Sequence, residues 1–142
     1  MYKLNLIDID YQLNGNKISL SVEKFNSLNS CELTVTFNGL FHNTSPKWDV
    51  PKEDLDGFID RLKIIPSKDE VLSFHPMIEP GLEVYIINDN PHYKDMLKMI
   101  FVLDSGLLGT SRATTSSGDA FCITLNSNEI EEFCRQYDEN IR

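Results

Sequence analysis

Long apolar runs, clustered cations and catalytic signatures are all missing from this chain. No window approaches the ~20 apolar residues needed to span a bilayer. The opening Met1-Tyr2-Lys3-Leu4-Asn5 lacks the continuous apolar core of a signal peptide. Cysteine is scarce: Cys31, Cys122 and Cys134 are odd in number and have no CxxC spacing. That spacing speaks against a disulfide framework or a zinc knuckle, so the reducing cytoplasm is the expected compartment. Cations are scarce too, with 13 Lys and Arg against 22 Asp and Glu, for a net charge of −9. Phosphate neutralisation needs clustered Lys and Arg, so nucleic acid is not expected as a direct ligand. An anionic membrane surface is disfavoured for the same reason. A basic protein partner would be attracted, and its association accelerated. The plainer consequence of the acidity is solubility.

Catalytic groups are equally thin. The only histidines, His42, His75 and His92, each sit beside a predicted loop or strand end. No His-x-His, HExxH or GxSxG surrounds them, and nucleophilic catalysis needs a base held against Ser or Cys by a third group. Asp8 and Asp10 read as a pair on one face of a strand. Such a pair could hold a divalent ion, although a solvated strand end is the more ordinary reading. Asn88-Asp89-Asn90 resembles a calcium loop in residue type only, without the glycine and distal glutamate at the required spacing. The Gly/Ser/Thr stretch 106–118 has no Gly-Lys-Ser/Thr, and a strand rather than a helix follows it. It reads as a connector, or alternatively as a recognition loop. No enzyme activity, cofactor or metal is expected, and a small hydrolase using a histidine or Asp8/Asp10 is the enzymatic alternative.

What is present is patterning. A chain of 142 residues suits one domain, 1–142, without linker or repeat. Its folded surface should be about 7,500 Å², with about two-thirds of the unfolded surface removed. The organising stretch is 17–65. Lys17 to Asn26 and Cys31 to Leu40 alternate, with Ile18, Leu20, Val22, Leu33, Val35 and Phe37 on one face. Ser19, Ser21, Glu23, Glu32, Thr34 and Thr36 fall on the other, the wet-and-dry signature of an antiparallel sheet. Asn38-Gly39 interrupts the second strand, as a bulge before Leu40-Phe41, and His42 to Asp49 reads as a polar loop anchored by Trp48. Val50 to Ile65 then places Leu55, Phe58, Ile59 and Leu62 at helical spacing, with Pro51 in the first turn.

Flanking segments complete the order. Tyr2 to Asp10 is a strand, turned at Asn14-Gly15-Asn16. Val71–His75 and Leu82–Ile87 are strands, and Met96–Leu103 reads as a central strand buried on both faces, or as a helix. Phe121, Ile123 and Leu125 form a last strand. A closing helix follows, N-capped by Asn126 or Ser127, with Ile130, Phe133, Cys134, Tyr137 and Ile141 on its apolar stripe. The expected class is α+β: a mostly antiparallel sheet of about seven strands with two amphipathic helices, in the order βββα-ββββα.

The surviving functional signal is a surface. Glu53, Asp56 and Asp60 lie roughly opposite the first helix's apolar stripe, with little local neutralisation. Asp69 and Glu70 follow just beyond. In the last helix Glu131–Arg135 and Asp138–Arg142 are spaced to offset each other, leaving Glu132 and Glu139 as a second acidic line. Trp48 is the candidate aromatic anchor at a partner interface, although anchoring its own loop over the core is the plainer role. One helix face with neighbouring loops could supply the about 800 Å² that a standard interface takes from each partner.

With these features in view, the chain resembles the WapI family of bacterial immunity proteins. The resemblance rests on Val35-Thr36-Phe37-Asn38-Gly39-Leu40-Phe41, on Asp54-Leu55 through Phe58 to Leu62, and on Glu131-Glu132-Phe133. It covers most of the chain as a likeness of size, charge and pattern, on motifs that are structural rather than catalytic. It implies a cytosolic antidote that binds the C-terminal tRNA nuclease domain of a WapA-type secreted toxin in contact-dependent competition. No functional residue transfers with it, so the acids named above rest on charge alone. The alternative is an acidic adaptor without a toxin partner.

Overall fold

In a computed structural model of the chain, the described residues are 1–39, 43–45, 47–64, 70–74, 82–88, 95–103 and 120–142. Two antiparallel sheets and three helices confirm the α+β class.

The first sheet begins with β1 (Tyr2–Ile7), β2 (Lys17–Val22) and β3 (Ser30–Asn38). Leu4 faces Leu20, which faces Val35, so the apolar residues of three strands stack on one buried face. The β1–β2 connection contains a helical turn that the pattern did not announce, α1 (Tyr11–Asn14). Gly15 closes it at φ 65°, the left-handed conformation that glycine adopts without penalty. The β2–β3 turn is where expected, pinned by Asn26 Oδ1, which accepts from the N–H groups of Leu28 and Ser30.

The predicted polar loop at 42–49 is corrected. Asn43–Thr44 forms β4 and Lys47–Pro51 forms β5, both antiparallel to β3. Their registers run in step, Asn38 with Asn43 and Leu33 with Trp48, so the two pieces continue one line of pairing. Lys-Trp-Asp-Val alternates as a strand should: Trp48 and Val50 are buried, Lys47 and Asp49 exposed. β3 ends at Asn38 without a bulge. A Cβ on Gly39 would stand 2.9 Å from Asn16 Oδ1, so only glycine lets the chain pass here unmoved.

α2 (Lys52–Leu62) follows, with Pro51 at its N-cap rather than in its first turn. Leu55, Phe58, Ile59 and Leu62 are buried as predicted. Each contributes about 1.5–3 kcal/mol by leaving water, several times the worth of an exposed ion pair. The apolar stripe docks this helix.

The second sheet is a meander of β6 (Glu70–Phe74), β7 (Leu82–Ile87), β8 (Met96–Leu103) and β9 (Ala120–Asn126). β8 is central, but the expected burial on both faces is corrected. Leu97, Met99 and Phe101 are buried, whereas Lys98 is exposed and Ile100 and Val102 are half-buried. α3 (Ser127–Asn140) closes the chain, and Asn126 accepts at 3.0 Å from Glu129 N, which settles the cap in favour of Asn126.

One buried cluster joins the layers. Phe37 of β3 meets Phe101 of β8 edge-on and Phe121 of β9 at a tilt, with ring centroids 5.8 and 5.5 Å apart. The sheets are also stitched at the end of β1. Ile9 N donates to Thr124 O at 2.9 Å, and Thr124 N donates to Asp8 Oδ2 at 2.7 Å. α2 and α3 lie side by side, α2 on β5 and β6, and α3 on β1 and β9. None of the described helices is long and apolar enough to cross a membrane.

Candidate protein-binding surface

The seam between α2 and α3 gathers Asp56, Asp60, Asp138 and Arg142 of the charged residues named from the sequence. On α2, Lys52, Asp56 and Asp60 lie to one side of the apolar stripe, and Lys63 follows as the helix's C-cap. On α3, Asp138 lies beside the stripe in the same way, and Arg142 follows the helix end at Ile141. Lys52 Nζ donates to Asp56 Oδ2 at 2.6 Å. Tyr137, fully buried, donates its hydroxyl to Asp56 Oδ1 at 2.8 Å. Arg142 Nη2 donates to Asp60 Oδ1 at 2.7 Å and to the Asp56 carbonyl at 3.1 Å. Its Nε lies 3.2 Å from Asp138 Oδ1 and 3.5 Å from Asp56 Oδ1. Lys63 Nζ bridges Asp138 at 2.8 Å and Asp60 at 3.2 Å.

Three cations therefore meet three carboxylates, and the expectation of little local neutralisation is corrected for Asp56 and Asp60. The titration behaviour follows. Partial burial would raise the Asp56 carboxyl, but the hydrogen bonds from Lys52 and Tyr137 hold it below its ordinary 3.8. Arg142 holds Asp60 below the same value, aided by Lys63. Burial first, and then Asp56, push the Tyr137 hydroxyl up.

A second correction falls on the outward face of α3. Glu132 and Glu139 both take Arg135, and Gln136 Nε2 donates to Glu132 Oε1 at 2.8 Å. The Glu132 carboxyl is held down at about 2, chiefly by Arg135. The expected partner of Arg135, Glu131, is left exposed with no ion pair among the described residues. Spacing allowed Arg135 three acids within one turn, and it took the two on its outer side. The Asp138–Arg142 pair stands as predicted.

Of the remaining candidates, Glu53 is exposed and has no hydrogen bond or ion pair among the described residues, as has its neighbour Asp54. Asp69 lies outside the described residues, and Glu70 is described only as the first residue of β6. Trp48 is 7% exposed, in the core cluster, so its role is the internal anchor rather than an open contact. Its Nε1 finds no acceptor among the described residues. Arg142 ties Asp56 and Asp60 of α2 to Asp138 of α3, whereas Glu132 and Glu139, the second acidic line, pair within α3 through Arg135.

The chemical alternatives also have places. β1 ends at Ile7, so Asp8 and Asp10 are not strand neighbours on one face. Asp8 is buried, and its carboxylate is fully engaged. Oδ1 accepts from Asp10 N at 2.8 Å and Asn14 Nδ2 at 3.0 Å, and Oδ2 accepts from Thr124 N. Its work is structural. No group of three or more His, Cys, Asp or Glu suited to a metal occurs among the described residues. The three histidines and the stretch 106–118 lie outside those residues. All three cysteines are free thiols. Burial pushes Cys31 and Cys134 up to about 11, so neither offers a thiolate at neutral pH.

Sequence reasoning missed Lys52, Lys63 and Tyr137 as partners of the named acids, and missed the reach of Arg142 across to α2. The Lys52–Asp56 pair, at i, i+4, and the Asp60–Lys63 pair, at i, i+3, carried a local signal. The other contacts join residues more than seventy positions apart. Compared with known protein families, curated proteins and solved structures, the chain gives no match.

Proposed function

We propose that this protein is a non-enzymatic immunity protein that binds and neutralises a basic nuclease domain in the cytoplasm. The resemblance to the WapI family names that domain as the C-terminal tRNA nuclease domain of a WapA-type toxin. The observation that carries the reading is the charge excess of −9. Part of it stands open on the paired helices, where Glu53, Asp54 and Glu131 are exposed without ion pairs among the described residues. A nuclease must present positive charge to phosphate, and an acidic protein competes for that surface. Charge sets the speed of docking, while buried contacts set the lifetime.

Co-purification with the toxin fragment, followed by a nuclease assay on the complex, tests this reading. The expected result is a stable complex with cleavage suppressed, whose association slows steeply as salt rises. Full cleavage of tRNA with the two proteins mixed would refute it. The internal pairing of Asp56, Asp60, Glu132 and Glu139 favours a second reading, an acidic adaptor without a toxin partner. A pull-down with the product of the neighbouring gene separates the two.

A further inference from the structure

We propose that the turn between β1 and β2, with the cleft beside it, is the apolar contact that a basic protein partner buries. The inference deepens the immunity reading, rests on it, and names the contacts that set the lifetime of the complex. Ile7, Ile9, Tyr11 and Leu13 are 44, 42, 39 and 80% exposed, four of the nine large apolar side chains left exposed among the described residues. Single apolar residues at a surface are ordinary, whereas several gathered in one short segment mark a contact. α1 buries none of its residues, so Tyr11 and Leu13 stand outside the core.

The turn is held from within. Asp8 Oδ1 accepts from Asp10 N and Asn14 Nδ2, Leu13 N donates to Asp10 O at 2.8 Å, and Gly15 N donates to Tyr11 O at 2.8 Å. An apolar surface ordered before docking loses less conformational freedom when a partner covers it. Beside it, between β1 and α3, lies a cleft of about 300 Å³ in which Ile7 and Phe133 are flanked by Asn5, Glu129 and Glu132. The charged groups lining this cleft are carboxylates only, and the exposed Asp10 adds another on the turn. Lys17 faces Ile7 from β2, and Arg135 is already shared by Glu132 and Glu139, so the local balance stays negative. An apolar centre with an acidic border fits a partner that presents apolar side chains among Lys and Arg. A second copy of this chain, at −9 like the first, is repelled from the same place.

The test uses the full chain and the toxin fragment, with association and dissociation rates read separately. Tyr11→Ser combined with Leu13→Ser should speed dissociation at least about tenfold and leave the association rate within about twofold. Leu28→Ser removes a leucine of similar exposure from the β2–β3 turn, at the other end of β2, and should change neither rate. Unchanged dissociation in the folded double variant, or an equal acceleration by Leu28→Ser, overturns the proposal and leaves the immunity reading standing. Should the double variant fail to fold, Leu13→Ser alone should speed dissociation severalfold, and an unchanged rate overturns the proposal equally. A dimer of the free chain in sedimentation that Leu13→Ser dissolves would assign the turn to a second copy and overturn it too. Absence of any complex with the parent chain overturns the immunity reading, and this inference with it.

Discussion

Two carboxylate centres hold this molecule together, and they do so by opposite means. At the β1–β9 junction, Asp8 is buried and receives three N–H donors, none of them from a cation. At the α2–α3 seam, Asp56, Asp60 and Asp138 remain partly exposed and are matched by Lys52, Lys63 and Arg142. The first is a hydrogen-bond centre in a water-poor place, where each unmade bond is costly. The second is a set of screened charges, where each pair is individually weak and can be exchanged. A junction that must not open uses the first kind. A surface that meets a partner can use the second.

Substitution separates the two. Asp8→Ala should give the largest loss, about 2–4 kcal/mol in urea denaturation, because three donors lose a charged acceptor at once. The loss should be the same in low and high salt, and a strong salt dependence would erase the contrast. Tyr137→Phe comes next. It removes one hydroxyl from Asp56 without opening a cavity, and should cost about 1 kcal/mol by the same measurement. Arg142→Ala should cost less than about 1 kcal/mol at low salt and nothing measurable at high salt.

Acid titration sharpens the seam side of the comparison. Asp56 and Asp60 have folded values below 3.8. A carboxyl with a depressed folded value contributes stability that is present above its unfolded value and lost as pH falls through the folded one. Thermal stability should therefore decline below about pH 4, with a shallower decline in Asp60→Asn. Glu129 runs the other way. Partial burial is the main cause of its raised value, with the Asp8 charge adding to it, while a hydrogen bond from the Asn126 backbone N–H opposes both. Its Oε2 is buried without a partner. Its charged form costs stability as pH rises past 4.5. Glu129→Gln should thus raise the melting temperature slightly at neutral pH, with the gain absent in acid. A loss at neutral pH would show that the carboxylate is satisfied.

The fold was largely legible because its elements carry local periodicity. β2 and β3 alternate at period two, α2 and α3 carry stripes at helical spacing, and Asn126 stands where a cap belongs. The misreadings occurred where local cues were short or mixed. Lys47-Trp48-Asp49-Val50 alternates over only four residues beside Ser45 and Pro46, and it becomes a strand because β3 offers a free edge in register. Ser19 alternates to the wet face, yet it is fully buried, with its hydroxyl donating to Asn5 Oδ1 at 2.6 Å. The candidate surface was less legible than the fold. Periodicity placed the acids on the two helices, but their pairing was not legible from it.

By itself the sequence settled composition, charge excess and the apolar stripes, because these depend on composition or on residues within a few positions of one another. Tertiary structure alone decided which carboxylates remain open. An ion pair forms wherever folding brings opposite charges within about 4 Å, and sequence separation does not constrain that distance. Asp56 meets Tyr137 and Arg142 only because the buried stripes of α2 and α3 set the helices side by side. Apolar burial dictated the contact, and the charges then took the partners it left within reach.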